Sequence, residues 1–131
     1  CALMRGNRQD FSGLDLRGCS FGGPSIERNF TDANLYCGRM SGANYGGNND
    51  FTRANMTRFR VSGSNFTGDN QFINTNMTEM VISGSNVTGN NQFIRANLEG
   101  LTCPGSNVEG CASNLQGQHQ CGRIANMAAC P

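Results

Sequence analysis

Three sets of residues in this sequence have a chemistry that depends on their spacing: the Asn-x-Thr triplets, the cysteines and the one histidine. Asn29, Asn55, Asn65, Asn76 and Asn86 each stand two positions before a Thr. This is the acceptor motif for N-linked glycosylation, which needs an exposed amide in a secreted chain. The seven cysteines are Cys1, Cys19, Cys37, Cys103, Cys111, Cys121 and Cys130, clustered toward the two ends. That density suits an oxidising compartment, where disulfides persist. Candidates for disulfides are Cys1, Cys37, Cys103, Cys111, Cys121 and Cys130. An odd number leaves at least one cysteine free or bonded to another molecule. A bond from Cys130 of one copy to Cys1 of the next would link copies end to end. The chain begins at Cys1 rather than Met and so reads as a processed product. A lipid-modified N-terminal cysteine is a rival use of Cys1.

His119 lies between Cys111 and Cys121 in the spacing C-x7-H-x-C-x8-C with Cys130. Zinc accepts such ligands, but this spacing matches no common zinc module, and the preferred reading is a surface histidine in a disulfide-bonded tail. No Ser–His–carboxylate or Cys–His constellation and no phosphate-loop spacing is present. The sequence therefore assigns no catalytic residue, no metal and no cofactor, and predicts that the chain is not an enzyme.

The elements that must hold these residues are unusual in composition. Of 131 residues, 18 are Gly and 18 are Asn, none is Lys or Trp, 37% are hydrophobic and 15% are charged. A chain this polar has too few apolar residues to fill a round core. A net charge of +1 with scattered Arg gives no electrostatic footprint for nucleic acid. The apolar runs are only a few residues long, too short for a membrane-spanning helix. Gly and Asn also disfavour long helices.

The apolar residues recur at fixed spacing. Phe30, Phe51, Phe72 and Phe93 are separated by 21 residues each. Leu35, Met56, Met77 and Leu98 follow, then Met40, Val61, Ile82 and Cys103, then Tyr45, Phe66, Val87 and Val108. Each unit is 5+5+5+6 residues, and FTRANMTRFRVSGSNFTGDNQ returns as FINTNMTEMVISGSNVTGNNQ over 72–92. Backward, Phe11, Leu16, Phe21 and Ile26 keep the five-residue step. A period of five fits neither a helix nor one long strand. It fits a chain that turns a corner about every five residues, with four short sides closing one coil. Stacked coils place equivalent side chains about 4.7–4.9 Å apart, so the core becomes a set of ladders. Gly and Asn suit the corners.

At this point the sequence resembles the pentapeptide-repeat family. The carrying triplets are ANL (33–35, 96–98), ANY (43–45), ANM (54–56), SNF (64–66), TNM (75–77) and SNV (85–87, 106–108), and the likeness spans roughly residues 10 to 115. The resemblance implies a right-handed quadrilateral β-helix in which the central residue, and the small residue two before it, point inward. Some members mimic DNA and bind type II topoisomerases; that role needs a strongly acidic rod, which the balance of 10 Arg against 9 acidic residues disfavours. Two departures stand out. The coils hold 21 residues where the family usually has 20. Phe59, Met80 and Leu101 occupy the small inward position, so either that side bulges or the three form an outward apolar stripe for assembly.

The expected fold is all-β: a parallel solenoid with four short sides per coil and about five to six coils. Residues 1–9 form an N-terminal segment, 10–110 the repeats, and 111–131 an irregular Cys-rich coil or cap. Cys19 and Cys103 fall at inward positions, where a thiol acts as a small hydrophobe. The expected function is a secreted structural rod that assembles with itself, end to end, into an extracellular fibre or surface element. Its partners are other copies and covalent glycans, with no nucleic acid and no membrane span. The alternatives are a monomeric module using a flat Asn/Thr face toward glycan, ice or protein, and a DNA mimic.

Overall fold

The computed structural model describes residues 9–26 and 28–131. Cys1 and the segment before Gln9 lie outside the described residues. Ten short strands follow one another: β1 (Ser20–Ile26), β2 (Arg39–Gly46), β3 (Arg60–Ser62), β4 (Asn65–Phe66), β5 (Gln71–Ile73), β6 (Val81–Ser83), β7 (Asn86–Val87), β8 (Gln92–Ile94), β9 (Asn107–Val108) and β10 (Cys111–Ser113). One short helix, α1 (Gly122–Ala125), ends the series. Every strand pairing is parallel, and the interior register steps by 21 residues: Arg39 with Arg60, Arg60 with Val81, Phe72 with Phe93. Isolated bridges continue the same register on the second side, as Asn34 with Asn55 and Asn55 with Asn76.

The corners are tight turns. Ala33 N–H donates to the Phe30 carbonyl at 3.0 Å and Gly38 N–H to the Leu35 carbonyl at 3.0 Å, patterns that recur one coil on at Ala54 and Phe59. The third residue of each such turn has positive φ, as a type II turn demands. At the first corner these residues are Asp32, Arg53, Asn74, Arg95 and Asn114; at the second they are Cys37, Arg58 and Glu79. Charged side chains thus take positions where Gly and Asn were expected. At the long fourth corner only glycine fits. A Cβ on Gly68 would lie 2.3 Å from the Gly47 carbonyl oxygen, so the backbones of successive coils nearly touch there.

The core is the interior of the coil. Phe11, Phe30, Phe51, Phe72 and Phe93 stack face to face, with centroids 5.3, 5.0, 5.1 and 4.9 Å apart and planes within 10° of parallel. These five rungs bound about four turns, fewer than the five to six expected; β10 pairs with β8, and bridges from Asn97 to Gln116 and from Thr102 to Gln120 carry the coil register on before α1 closes the end, so the expected irregular cap over 111–131 begins in register. In the first coil a register shift between Phe21 and Gly23 aligns Ser25, rather than Ile26, with Tyr45.

Phe59, Met80 and Leu101 do not form an outward stripe. They are buried at 0%, 2% and 0% exposure. The Phe59 ring packs against Phe21 of an earlier coil, with centroids 5.9 Å apart. Gly38 makes room for it, since a Cβ there would meet the Phe59 ring at 2.8 Å.

The C-terminal end is closed covalently. The bridge between Thr102 and Gln120 places Cys121 beside Cys103, and the two are disulfide-bonded with Cα atoms 5.1 Å apart. Cys111 and Cys130 form a second disulfide, with Cα atoms 4.9 Å apart. Both separations suit a disulfide. Helix α1 then buries Ile124 against the last coil.

Candidate functional site

The four sides present different outer columns. On the fourth side, Asn44, Asn65 and Asn86 are exposed and joined in a row: Asn65 Nδ2 donates to Asn44 Oδ1 at 3.0 Å, and Asn86 Nδ2 donates to Asn65 Oδ1 at 3.1 Å. Thr67 and Thr88 stand beside this row. Amides so linked hold one orientation, and the resulting strip is flat and uncharged.

On the second side the amides behave differently. Asn55 and Asn76 turn their Oδ1 back onto the threonine two residues on. They accept from the Thr57 and Thr78 backbone N–H groups at 3.1 Å each, and from the hydroxyls at 2.7 and 2.6 Å. Asn55 Nδ2 also donates to Asn34 Oδ1 at 3.4 Å. Asn29, on the first side, accepts from the Thr31 N–H at 2.9 Å. Of the five sequon asparagines, Asn29, Asn65, Asn76 and Asn86 are exposed and Asn55 is half-buried.

The corner columns carry ion pairs between neighbouring coils. Arg53 forks onto Asp32 at 2.8 and 3.0 Å, and Arg58 Nε donates to Glu79 at 2.9 Å. Within one turn, Arg17 pairs with Asp15. The guanidinium hydrogen bonds hold the carboxyls of Asp32 and Asp15 below the usual carboxylate range. Among the described residues, three acidic side chains are thereby paired with Arg.

A polar column inside the first side went unread in the sequence. Asn49, Asn70 and Asn91 are fully buried beneath the Phe stack. Asn49 Nδ2 donates to Asn70 Oδ1 at 2.9 Å and Asn70 Nδ2 to Asn91 Oδ1 at 2.8 Å. The ladder ends on the backbone, with the Arg28 N–H donating to Asn49 Oδ1 and Asn91 Nδ2 donating to the Glu109 carbonyl. Asn49 and Asn91 in NND and NNQ, and Asn70 in DNQ, read as corner residues in the sequence. Their position two before each Phe was the available signal that they face inward. Arg28 holds the equivalent place in the preceding coil, over the rings of Phe11 at 5.3 Å and Tyr45 at 5.4 Å. Burial raises the Tyr45 hydroxyl above its ordinary pKa, opposed by that guanidinium.

The cysteines settle several alternatives. Cys130 is bonded to Cys111 within the chain, so it cannot link to Cys1 of another copy. The same bonds occupy the sulfurs of the zinc candidate, and His119 Nδ1 accepts the Cys121 N–H at 3.1 Å. Cys19 is also disulfide-bonded rather than a free core thiol. Cys37, one of the disulfide candidates, is instead free and exposed at the second corner. Among the described residues no three His, Cys, Asp or Glu side chains gather to hold a metal ion, and no helix is long and apolar enough to cross a membrane.

The parallel coils, the four-sided register and the five-residue inward step give this chain a pentapeptide-repeat fold. No family model matches the chain, and no curated protein does. Among solved structures it is similar to HetL, a pentapeptide repeat protein involved in heterocyst differentiation regulation from the cyanobacterium Nostoc sp. strain PCC 7120. Identity is 13%, coverage is 82% of this chain and 73% of that one, and the TM-score is 0.29. It is also similar to Rfr23, a pentapeptide repeat protein from the cyanobacterium Cyanothece 51142. There identity is 16%, coverage is 83% and 91%, and the TM-score is 0.24.

Proposed function

We propose that this chain is a non-enzymatic module of an extracellular or cell-surface protein, a rigid rod that acts singly through its Asn/Thr face. The observation that carries this reading is the stapled C-terminal cap. An open solenoid end exposes unpaired strand edges and core rungs, which invite stacking on another copy. Here the two disulfides and Ile124 cover the last coil. The other feature read as an assembly contact, the row Phe59, Met80 and Leu101, is used up in the core. Disulfides also favour an oxidising compartment. Among the described residues, the row Asn44, Asn65 and Asn86 with Thr67 and Thr88 offers a glycan, an ice surface or a protein an ordered, uncharged strip on the side of the rod.

The test joins sedimentation with binding. The oxidised chain sediments as a monomer at high concentration. Thr67→Glu with Thr88→Glu abolishes capture of the chain on a glycan array or by ice while leaving its sedimentation and fold unchanged. Filaments in electron micrographs of the oxidised chain would overturn the reading in favour of assembly.

A further inference from the structure

We propose that Asn76 and Asn29 are the N-glycosylation acceptors of this chain, and that Asn65 and Asn86 stay bare. The proposal rests on the extracellular reading above and goes beyond it by assigning modification sites. All five sequons satisfy the sequence rule, so the sequence alone cannot rank them. The reacting atom is the amide nitrogen, and the structure divides these nitrogens into two kinds.

In Asn65 and Asn86 the Nδ2 is a donor in the row between coils, at 3.0 and 3.1 Å. Asn55 is half-buried, and its Nδ2 donates to Asn34. In Asn76 and Asn29 the bonding runs through Oδ1 alone, to Thr78 and Thr31. Both residues are exposed, and their Nδ2 atoms donate to no described residue. A sugar on either nitrogen breaks no side-chain hydrogen bond among the described residues.

Spacing adds a second selection. Coils lie about 4.7–4.9 Å apart, narrower than a sugar with its hydration. Asn55 and Asn76 pair directly across adjacent coils, so one of the two excludes the other. Asn76 has the free nitrogen. Asn29 lies on a different side and on an earlier coil, so both favoured sites fill together.

The transfer takes its oligosaccharide from a lipid-diphosphate-linked donor. The Asn Nδ2 forms a bond to the anomeric carbon, that carbon's bond to the diphosphate oxygen breaks, the lipid diphosphate leaves, and the nitrogen gives up one proton to solvent. Transfer to Asn65 or Asn86 removes one of their amide hydrogens and wedges a sugar into the row. Unlike loss of the hydrogen bond alone, a sugar there adds bulk between side chains joined across rungs about 4.7–4.9 Å apart, so chains modified there fold poorly and are depleted from the secreted pool. The fourth side is thereby kept clear of glycan.

The experiment secretes the full chain from a eukaryotic cell and maps glycopeptides and disulfides on the same sample. The expected result is sugar at Asn76 and Asn29, none at Asn65 or Asn86, and intact Cys103–Cys121 and Cys111–Cys130 bonds. Asn76→Gln and Asn29→Gln each lower the intact mass by one glycan, while Asn65→Gln and Asn86→Gln leave the glycan mass unchanged. Sugar at Asn65 or Asn86, or bare Asn76 and Asn29 in a correctly disulfide-bonded chain, would overturn the assignment and leave the extracellular reading standing. Fully reduced cysteines in protein taken from its own cells would instead overturn the extracellular reading and the glycans with it.

Discussion

Replacing Asn70 by Ala tests whether the buried amide ladder supports the rod. Asn70 is fully buried. Its Oδ1 accepts from Asn49 Nδ2 at 2.9 Å and from the Asn49 backbone N–H at 3.2 Å, and its Nδ2 donates to Asn91 Oδ1 at 2.8 Å. The substitution leaves two buried donors on Asn49 without their main acceptor. The Asn91 oxygen still accepts from the Asn70 backbone N–H at 3.2 Å, so its loss is smaller. At roughly 1–3 kcal/mol for each orphaned donor, the cost is about 2–6 kcal/mol. Asn65→Ala breaks a row of the same chemistry on the surface, where water replaces the partner, and should cost within about 0.5 kcal/mol. The assay is urea unfolding with disulfides intact, followed by far-UV circular dichroism. Long repeat arrays can lose all-or-none behaviour, so midpoints and slopes are compared together. Equal midpoints for the two variants would refute the argument that burial, rather than the amide row itself, sets the energy.

Phe51 stacks between Phe30 and Phe72 at 5.0 and 5.1 Å, so Phe51→Ala should lower stability by about 3–5 kcal/mol in the same unfolding assay. Gly68→Ala should prevent folding or open the fourth corner, because its Cβ overlaps the Gly47 carbonyl. Gly63→Ala, in open space at φ +53, should cost only about 1–2 kcal/mol; similar circular dichroism melts for the two would refute the close approach. Removing the Cys111–Cys130 bond, which spans 19 residues, should cost roughly 3 kcal/mol, seen as a lower melting temperature of the Cys111→Ser, Cys130→Ser double variant. The Asp32 carboxyl is held low by Arg53, so its small contribution to stability is present above the ordinary carboxylate pKa and is lost as pH falls through the lowered value. NMR titration of Arg53→Gln should show the Asp32 pKa rise toward its ordinary value.

The repeat was legible because packing in a narrow coil repeats itself. Each inward Phe meets an identical Phe one coil away, so one rule written along the chain appears as a 21-residue period. The same simplicity hid what depends on neighbours in the next coil. Phe59, Met80 and Leu101 looked misplaced because the pattern considers one position at a time, whereas an inward residue also fills space left by another coil, as the Phe59 ring does over Gly38. Asn49, Asn70 and Asn91 looked like corner residues because an inward asparagine is tolerable only when a second asparagine stands in register to bond it. The corner residues Arg53, Arg58 and Glu79 take positive φ where Gly or Asn was expected, and Arg53 and Arg58 are tied by ion pairs between neighbouring coils.

The sequence by itself determined the period, the ladder residues, the parallel four-sided coil and the disulfide-rich C-terminal end, since these follow from apolar spacing and residue type. Only the tertiary structure decided which cysteines pair, how many turns form before the cap, and which asparagines face in, face out or bond across coils. Those outcomes depend on distances between residues about 21 apart in the chain and one rung apart in space, and no local stretch of sequence contains that distance.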